Sequence, residues 1–202
     1  MIEQAFYDLS AAQPAARRIV DFTRSDDRQW AGIIELPALG LFETDADERT
    51  DVYVLHGNLT STSGEAIASG AFLSLRTDNK FTAGEHGAVL FVYREPIRDH
   101  ADAILVDSDQ RPWRAARVAG MRVADLVPNG YQVSLVEWGA GTHVGRHDHG
   151  AGEEIFVLEG ALESQGGTYH AGSWLRLHPG ATHTPRAEEY ALIILRNSHL
   201  LG

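Results

Sequence analysis

The sequence predicts an all-β fold built as two small barrels in tandem, and three observations carry that expectation. Short runs rich in β-branched and aromatic residues stop at glycines, as Glu154-Ile155-Phe156-Val157-Leu158-Glu159 stops at Gly160. The second half of the chain is repeated in the first. Asp51-Val52-Tyr53-Val54-Leu55-His56-Gly57 aligns with Glu154 to Gly160 once a small gap is allowed, and Ser69-Gly70-Ala71-Phe72-Leu73-Ser74 aligns with Ala171-Gly172-Ser173-Trp174-Leu175-Arg176. Gly87 to Tyr93 likewise aligns with Tyr190 to Arg196, and Glu35-Leu36 with Glu137-Trp138. Finally, 202 residues hold two barrels of about 80 to 100 residues, each large enough to bury a core.

Taken in order, residues 1–28 read as an N-terminal arm, with a brief helix over Ala11 to Phe22 that tolerates Pro14 near its first turn. Residues 29–97 are the first barrel. Residues 98–112 are a polar connection that surrounds Ile104-Leu105-Val106, a short apolar run able to form one strand. Residues 113–202 are the second barrel, with Tyr131 to Trp138 as a strand of mixed faces. The richest stretch comes next: Gly141, then His147-Asp148-His149, Gly150-Ala151-Gly152, Glu153-Glu154 and Gly160, followed by His178-Pro179-Gly180-Ala181-Thr182-His183.

Residues i and i+2 of a strand share a face, so His147 and His149 project the same way. The small residues of Gly150-Ala151-Gly152 allow a tight turn that brings Glu153 beside them. His183 follows a Pro-Gly turn and can come to the same point from a neighbouring strand. Neutral imidazoles with one carboxylate suit a borderline divalent ion such as Fe, Mn, Ni, Co, Cu or Zn, whereas Mg or Ca would call for oxygen ligands. One mononuclear transition-metal site per chain is expected.

These two motifs resemble the paired signature of the cupin superfamily, with its RmlC-like jelly-roll barrel. The stretch from Gly152 to Gly160, followed by Tyr169-His170-Ala171-Gly172-Ser173-Trp174-Leu175-Arg176, is similar to the cupin domain of ChrR-type anti-sigma factors. The resemblance covers about residues 113 to 202. It implies the metal ligands His147, His149, Glu153 and His183, with Glu154 competing for the place of Glu153; the gaps to His149 and Gly160 favour Glu153. His178 departs from the family, which usually has proline there, and reads as a turn residue or part of the pocket mouth. The first barrel is degenerate. Thr44 or Asp45 and Ala46 or Asp47 stand opposite the first two histidines, Thr50 or Asp51 opposite Glu153, and Phe81 or Lys80 opposite His183. His56, His86 and His100 have no motif around them.

The formal net charge of −11 argues against nucleic acid and anionic membrane surfaces as partners. With no cysteine, disulfides and thiolate metal sites are excluded. Met1-Ile2-Glu3-Gln4 begins no export signal, and no run approaches a membrane span of about 20 apolar residues, so a cytoplasmic location is expected. The resemblance implies a metal-dependent enzyme, of dioxygenase type, on a small organic substrate. In it Glu153 is both a ligand and the catalytic proton acceptor. Arg176 is a candidate for a substrate carboxylate, or else a surface arginine. His143 and Arg146 are candidates for the pocket rim, and Tyr131, Trp138, Phe156 and Trp174 for the core. The alternative is a ChrR-like sensor that binds Zn or a small ligand. The N-terminal arm has no His or Cys, so no sigma-binding domain is expected. Homodimerisation through the barrels is also expected, by the same resemblance.

Overall fold

The computed structural model describes residues 1–12, 14–97, 102–127, 132–197 and 200, with Gln132 described by its backbone. The chain divides into two compact units: Ser10–Gln110, and Met1–Leu9 together with Arg111–Gly202. Both are all-β. Among the described residues the only helical segment is a 3-10 turn at Leu9–Ala11, and no helix is long and apolar enough to cross a membrane.

The expected N-terminal arm is divided between the units. Strand β1 (Ile2–Phe6) pairs antiparallel with Ser173–Leu177 of the second unit, while β2 (Arg18–Asp21) pairs with β3 (Trp30–Leu36) of the first. The helix expected over Ala11–Phe22 does not form. Ile19 and Val20 are β-branched, and a sheet partner is available: Arg18 reaches Glu35 at 3.1 Å across the ladder. Tertiary pairing overrides the weak helix signal.

The first unit continues with β4 (Leu41–Thr44), β5 (Glu48–Ser61), β6 (Ala66–Ala68), β7 (Phe72–Leu75), β8 (Asn79–Pro96) and β9 (Ile104–Val106). Its sheet runs β2-β3-β8-β5-β7-β9, so the apolar run of the connection is an edge strand of this unit. His100 and its neighbours 98–101 lie outside the described residues. The second unit holds β10 (Trp113–Ala115), β11 (Met121–Asp125), β12 (Gln132–Trp138), β13 (Thr142–His143), β14 (His147–Asp148), β15 (Glu153–Ser164), β16 (Gly167–His170), β17 (Ser173–Leu177), β18 (Thr182–His183), β19 (Arg186–Ala187) and β20 (Ala191–Asn197). Its main sheet runs β1-β17-β15-β20-β12-β11-β10.

The internal repeat is visible in the ladders. Tyr53 faces Phe72 and Phe91, as Phe156 faces Trp174 and Ile194. A β-bulge falls between Val54 and His56 in one copy and between Val157 and Glu159 in the other. After each bulge comes a left-handed glycine, Gly57 at φ 74° and Gly160 at φ 70°. Even a cross-strand ion pair recurs: Arg122 meets Glu137 at 3.0 Å, as Arg18 meets Glu35. Apolar residues at alternate positions of the long strands fill each unit, with Ile34, Val52, Val54, Leu90 and Val92 in the first and Val136, Ile155, Val157, Leu175 and Ile193 in the second.

Gly160 is required twice over. Its φ belongs to the region that disfavours side chains, and an added Cβ would collide with the Tyr190 carbonyl oxygen. Gly180, at φ 77°, has open space around its missing Cβ. Gly180→Ala should therefore cost about 1 kcal/mol, the backbone penalty alone, and Gly160→Ala clearly more. Urea unfolding of the two variants checks the order, and equal losses would refute it.

Candidate metal centre

The site is assembled by a short ladder. β14 and β18 pair so that His147 faces His183 and Asp148 faces Thr182. The link from His149 to Glu153 turns through Gly152, at φ 81°, whose amide donates to the His149 carbonyl at 3.0 Å. The Gly180 amide donates to the same carbonyl at 3.0 Å, so the Pro-Gly turn that carries His183 is fastened to the turn that carries His149. One ligand atom of each of His147, His149 and His183 lies within 4.8 Å of the others, a group able to hold a metal ion.

The nitrogens that converge are identifiable. His183 Nε2 lies 2.9 Å from His149 Nε2 and 3.0 Å from His147 Nε2. His147 Nδ1 is 2.9 Å from the Gly145 carbonyl, which can only accept, so the ring proton sits on Nδ1 and leaves a lone pair on Nε2. His149 Nδ1 lies 3.2 Å from Glu153 Oε2 and is disposed to donate to it in the same way. At most one proton, on His183 Nε2, can then serve one of the two close contacts. Two nitrogens bound about 2.1 Å from one ion at right angles lie about 3.0 Å apart. The spacing found here matches a shared cation.

Glu153 stands beside this group, on the inward face of β15. Its Oε1 is 3.6 Å from His183 Nε2, buried, and without a hydrogen-bond partner among the described residues. An orphaned carboxylate oxygen beside three converging imidazole nitrogens is a donor set that fits a divalent transition metal. Glu154 points the opposite way. It is fully buried and takes a hydrogen bond from Arg176 Nε at 2.7 Å. Strand parity therefore separates the two competing carboxylates.

Electrostatics make the metal-free site uncomfortable. Burial, with the neighbouring His147 imidazole, pushes His149 down to about 4; burial, with both other imidazoles, pushes His183 down to about 3. Burial pushes Glu153 up to about 8. The unfolded chain would protonate these histidines below about 6.5, so that stability is lost as pH falls from there toward 3 to 4. The unfolded chain would ionise Glu153 above about 4.5, so that stability is lost as pH rises from there through about 8. A divalent cation relieves both conflicts.

The group opens onto a cavity of about 590 Å³ inside the second unit. Its walls follow one face of the sheet. Met121, Val123 and Asp125 of β11 sit opposite Trp138, Val136 and Ser134 of β12, which sit beside Ile193 and Leu195 of β20 and Ile155 of β15. Arg114, Arg117 and Asn197 complete the polar part of the lining. Arg114 donates to Asp125 at 2.6 Å and the Ser134 hydroxyl donates to it at 2.9 Å. Burial works to raise the Asp125 carboxyl, but these bonds hold it below its ordinary value, so it is ionised and its charge is matched to Arg114.

Several expected site residues stand elsewhere. Arg176 is neither a surface residue nor on the cavity wall, because position 176 faces Glu154 across β17 and β15. His143 and Arg146 lie outside the cavity lining; Arg146 donates to Thr182 Oγ1 at 3.1 Å. His178 lies 3.1 Å from Glu3 and its amide donates to the Met1 carbonyl, so it fastens β1 rather than shaping the pocket mouth. Phe156 and Trp174 are buried away from the cavity, whereas Trp138 lines it. Tyr131 lies outside the described residues. His56 and His86 are exposed.

In the first unit, Thr44 pairs with Asn79 as His147 pairs with His183. Thr50 lies six positions after Thr44, as Glu153 lies six after His147, and Thr50 holds the register of Glu153. The residue opposite His183 is thus Asn79, not Phe81 or Lys80; Phe81 packs on Phe42 with ring centroids 6.1 Å apart. Hydrogen bonds replace the metal group, since the Asn79 amide donates to Thr44 Oγ1 at 3.0 Å. Sequence reasoning missed Arg114, Arg117, Asp125, Ser134 and Asn197. A charged residue in the alternating run Met121-Arg122-Val123-Ala124-Asp125 was the available signal, but it is meaningful only once the inward face is known.

Three comparisons bear on this geometry. The family described as ChrR Cupin-like domain matches residues 101–201, half of the chain. No curated protein matches the sequence. Among solved structures, a provisionally named glyoxylate-induced protein from Pseudomonas aeruginosa is 13% identical, with a TM-score of 0.77 over 92% of this chain and 81% of that one. A provisionally named dioxygenase from Nostoc punctiforme is 14% identical, with a TM-score of 0.75 over 98% of this chain and 84% of that one. Salicylate 1,2-dioxygenase from Pseudaminobacter salicylatoxidans is 12% identical, with a TM-score of 0.69 over 90% and 76%. At these identities the likeness concerns the fold, which is that of the cupins.

Two outcomes follow for the metal group. His147→Ala should lose most of the metal that the untagged wild-type protein retains, measured by elemental mass spectrometry; a full equivalent retained would refute the assignment. At pH 7, metal binding to the wild type should release about one proton more than binding to Glu153→Gln, because the Glu153 proton must leave. Titration calorimetry in buffers of different ionisation enthalpy reads the difference, and no difference would remove Glu153 from the site.

Proposed function

The chain belongs to the ChrR cupin-like domain family, and on that premise we propose that it is a bicupin enzyme of dioxygenase type that acts on a small organic substrate with one divalent transition metal per chain. The observation that carries this reading is the triad of imidazole nitrogens, 2.9 and 3.0 Å apart, opening onto a largely apolar cavity of about 590 Å³. His147, His149 and His183 would hold the metal, with Glu153 as a fourth ligand through Oε1. A bound metal would polarise an enolate or phenolate oxygen of the substrate and bring it beside dioxygen.

The chain's own residues supply the rest. The Gly145 carbonyl fixes the His147 ring through Nδ1, and Glu153 Oε2 fixes His149 in the same manner. Val136, Ile155, Ile193 and Leu195 exclude water from the substrate side. Glu153, a buried carboxylate beside the three imidazoles, is the group placed to take the proton that an enol or phenol must give up.

The test is oxygen uptake by iron-loaded protein with a panel of enolisable and phenolic compounds. We expect uptake with at least one class, lost in His183→Ala and lowered roughly a hundredfold or more in Glu153→Gln. Stoichiometric Zn as the native metal, with no oxygen uptake after iron loading, would sink the oxygenase reading. It would leave the second reading, a ChrR-like sensor that holds Zn or a small ligand.

A further inference from the structure

Among the described residues, one cation on the cavity wall has no ion-pair partner. Three arginines lie on the β10–β11 hairpin, and two are engaged: Arg114 with Asp125 at 2.6 Å, and Arg122 with Glu137 at 3.0 Å and over the Trp113 ring at 5.1 Å. Arg117, on the turn between the strands, has no ion pair or hydrogen bond with any described residue, yet it lines the cavity. The turn is held in place. Gly120, at φ 84°, gives its carbonyl to the Gly139 amide at 2.8 Å, and the Ala116 amide donates to the Met121 carbonyl at 3.0 Å. An unmatched arginine at a fixed turn, in a chain of net charge −11, makes its end of the cavity positive against an acidic background.

Building on the metal-enzyme reading, we propose that the ligand of this cavity is a small organic carboxylate, bound at its anionic end by Arg117 and turned with its other end toward the three imidazoles. Asp125 does not oppose this, because its charge is already matched to Arg114 and its second oxygen receives the Ser134 hydroxyl. The planar fork of a guanidinium fits a carboxylate in two parallel hydrogen bonds. Between the two ends Val123, Val136, Ile193 and Leu195 offer an apolar wall, which suits an aromatic or branched aliphatic body. A sphere of the cavity's volume is about 10 Å across, room for one ring and its carboxylate.

Benzoate and its neutral counterpart benzamide separate charge from shape. Their binding is measured by calorimetry on wild type, Arg117→Ala and Arg117→Lys, each with and without metal. Because Arg117 is an exposed turn residue, both variants should unfold like the wild type. Wild type should prefer benzoate roughly tenfold or more; Arg117→Ala should lose that preference with benzamide binding unchanged, and Arg117→Lys should keep part of it. Equal binding of the two compounds by wild type would overturn the proposal. So would a benzoate preference that survives in Arg117→Ala, which would place the anion on the bound cation instead. Arg117-dependent preference in a protein that takes up no metal would uphold this inference while defeating the metal-enzyme reading.

Discussion

Lone pairs on imidazole nitrogens about 3 Å apart repel one another unless positive charge lies between them. In the second unit three such nitrogens are forced together, and a buried carboxylate oxygen is left beside them without a partner. The surrounding architecture maintains that arrangement. The β14–β18 ladder sets His147 against His183, two amides converge on the His149 carbonyl, and the alternation of β15 turns Glu153 inward while Glu154 turns out to Arg176. Burial then shifts His149, His183 and Glu153 in the directions that favour a cation over protons.

The first unit shows what the same scaffold does without that constraint. Its bulge, its left-handed glycine after the bulge and its arginine–glutamate pair are those of the second unit. At the place of the imidazoles, Thr44 and Asn79 satisfy each other by hydrogen bonds. The position equivalent to Glu154 is Asp51, and it too is a buried carboxylate bonded to an arginine, Arg49, at 3.0 Å. That arginine comes from the same strand rather than a neighbouring one. The outward-facing charge is therefore a feature of the scaffold, retained where the metal group is not.

Much of this was legible because strand periodicity and glycine placement are local. The repeat and the all-β class follow from spacing, and the grouping of His147, His149 and His183 from spacing together with the cupin resemblance. What stayed hidden depends on pairing between distant segments. Nothing local in Ile2 to Phe6 says that it completes a sheet with Ser173–Leu177, and nothing local in Arg18 to Asp21 overrules a helix. Asn79 was missed as the counterpart of His183 because the ladder, not the alignment of apolar runs, fixes that register. Arg176 looked like a surface or substrate arginine because burial on the outer face of a sheet leaves no mark in a single strand. The cavity's polar lining was invisible for the same reason: Asp125 matters only once the inward face of β11 is known, and Arg117 only once the β10–β11 turn is placed.

X-ray absorption at the metal edge of the loaded protein tests the centre most directly. Three imidazole ligands through Nε2 and one carboxylate oxygen should give nitrogen and oxygen scatterers at about 2.0 to 2.2 Å, with the multiple-scattering pattern of about three imidazole rings. A first shell of oxygen alone, or one imidazole at most, would contradict the account, because the convergence of His147, His149 and His183 would then serve some purpose other than holding a metal.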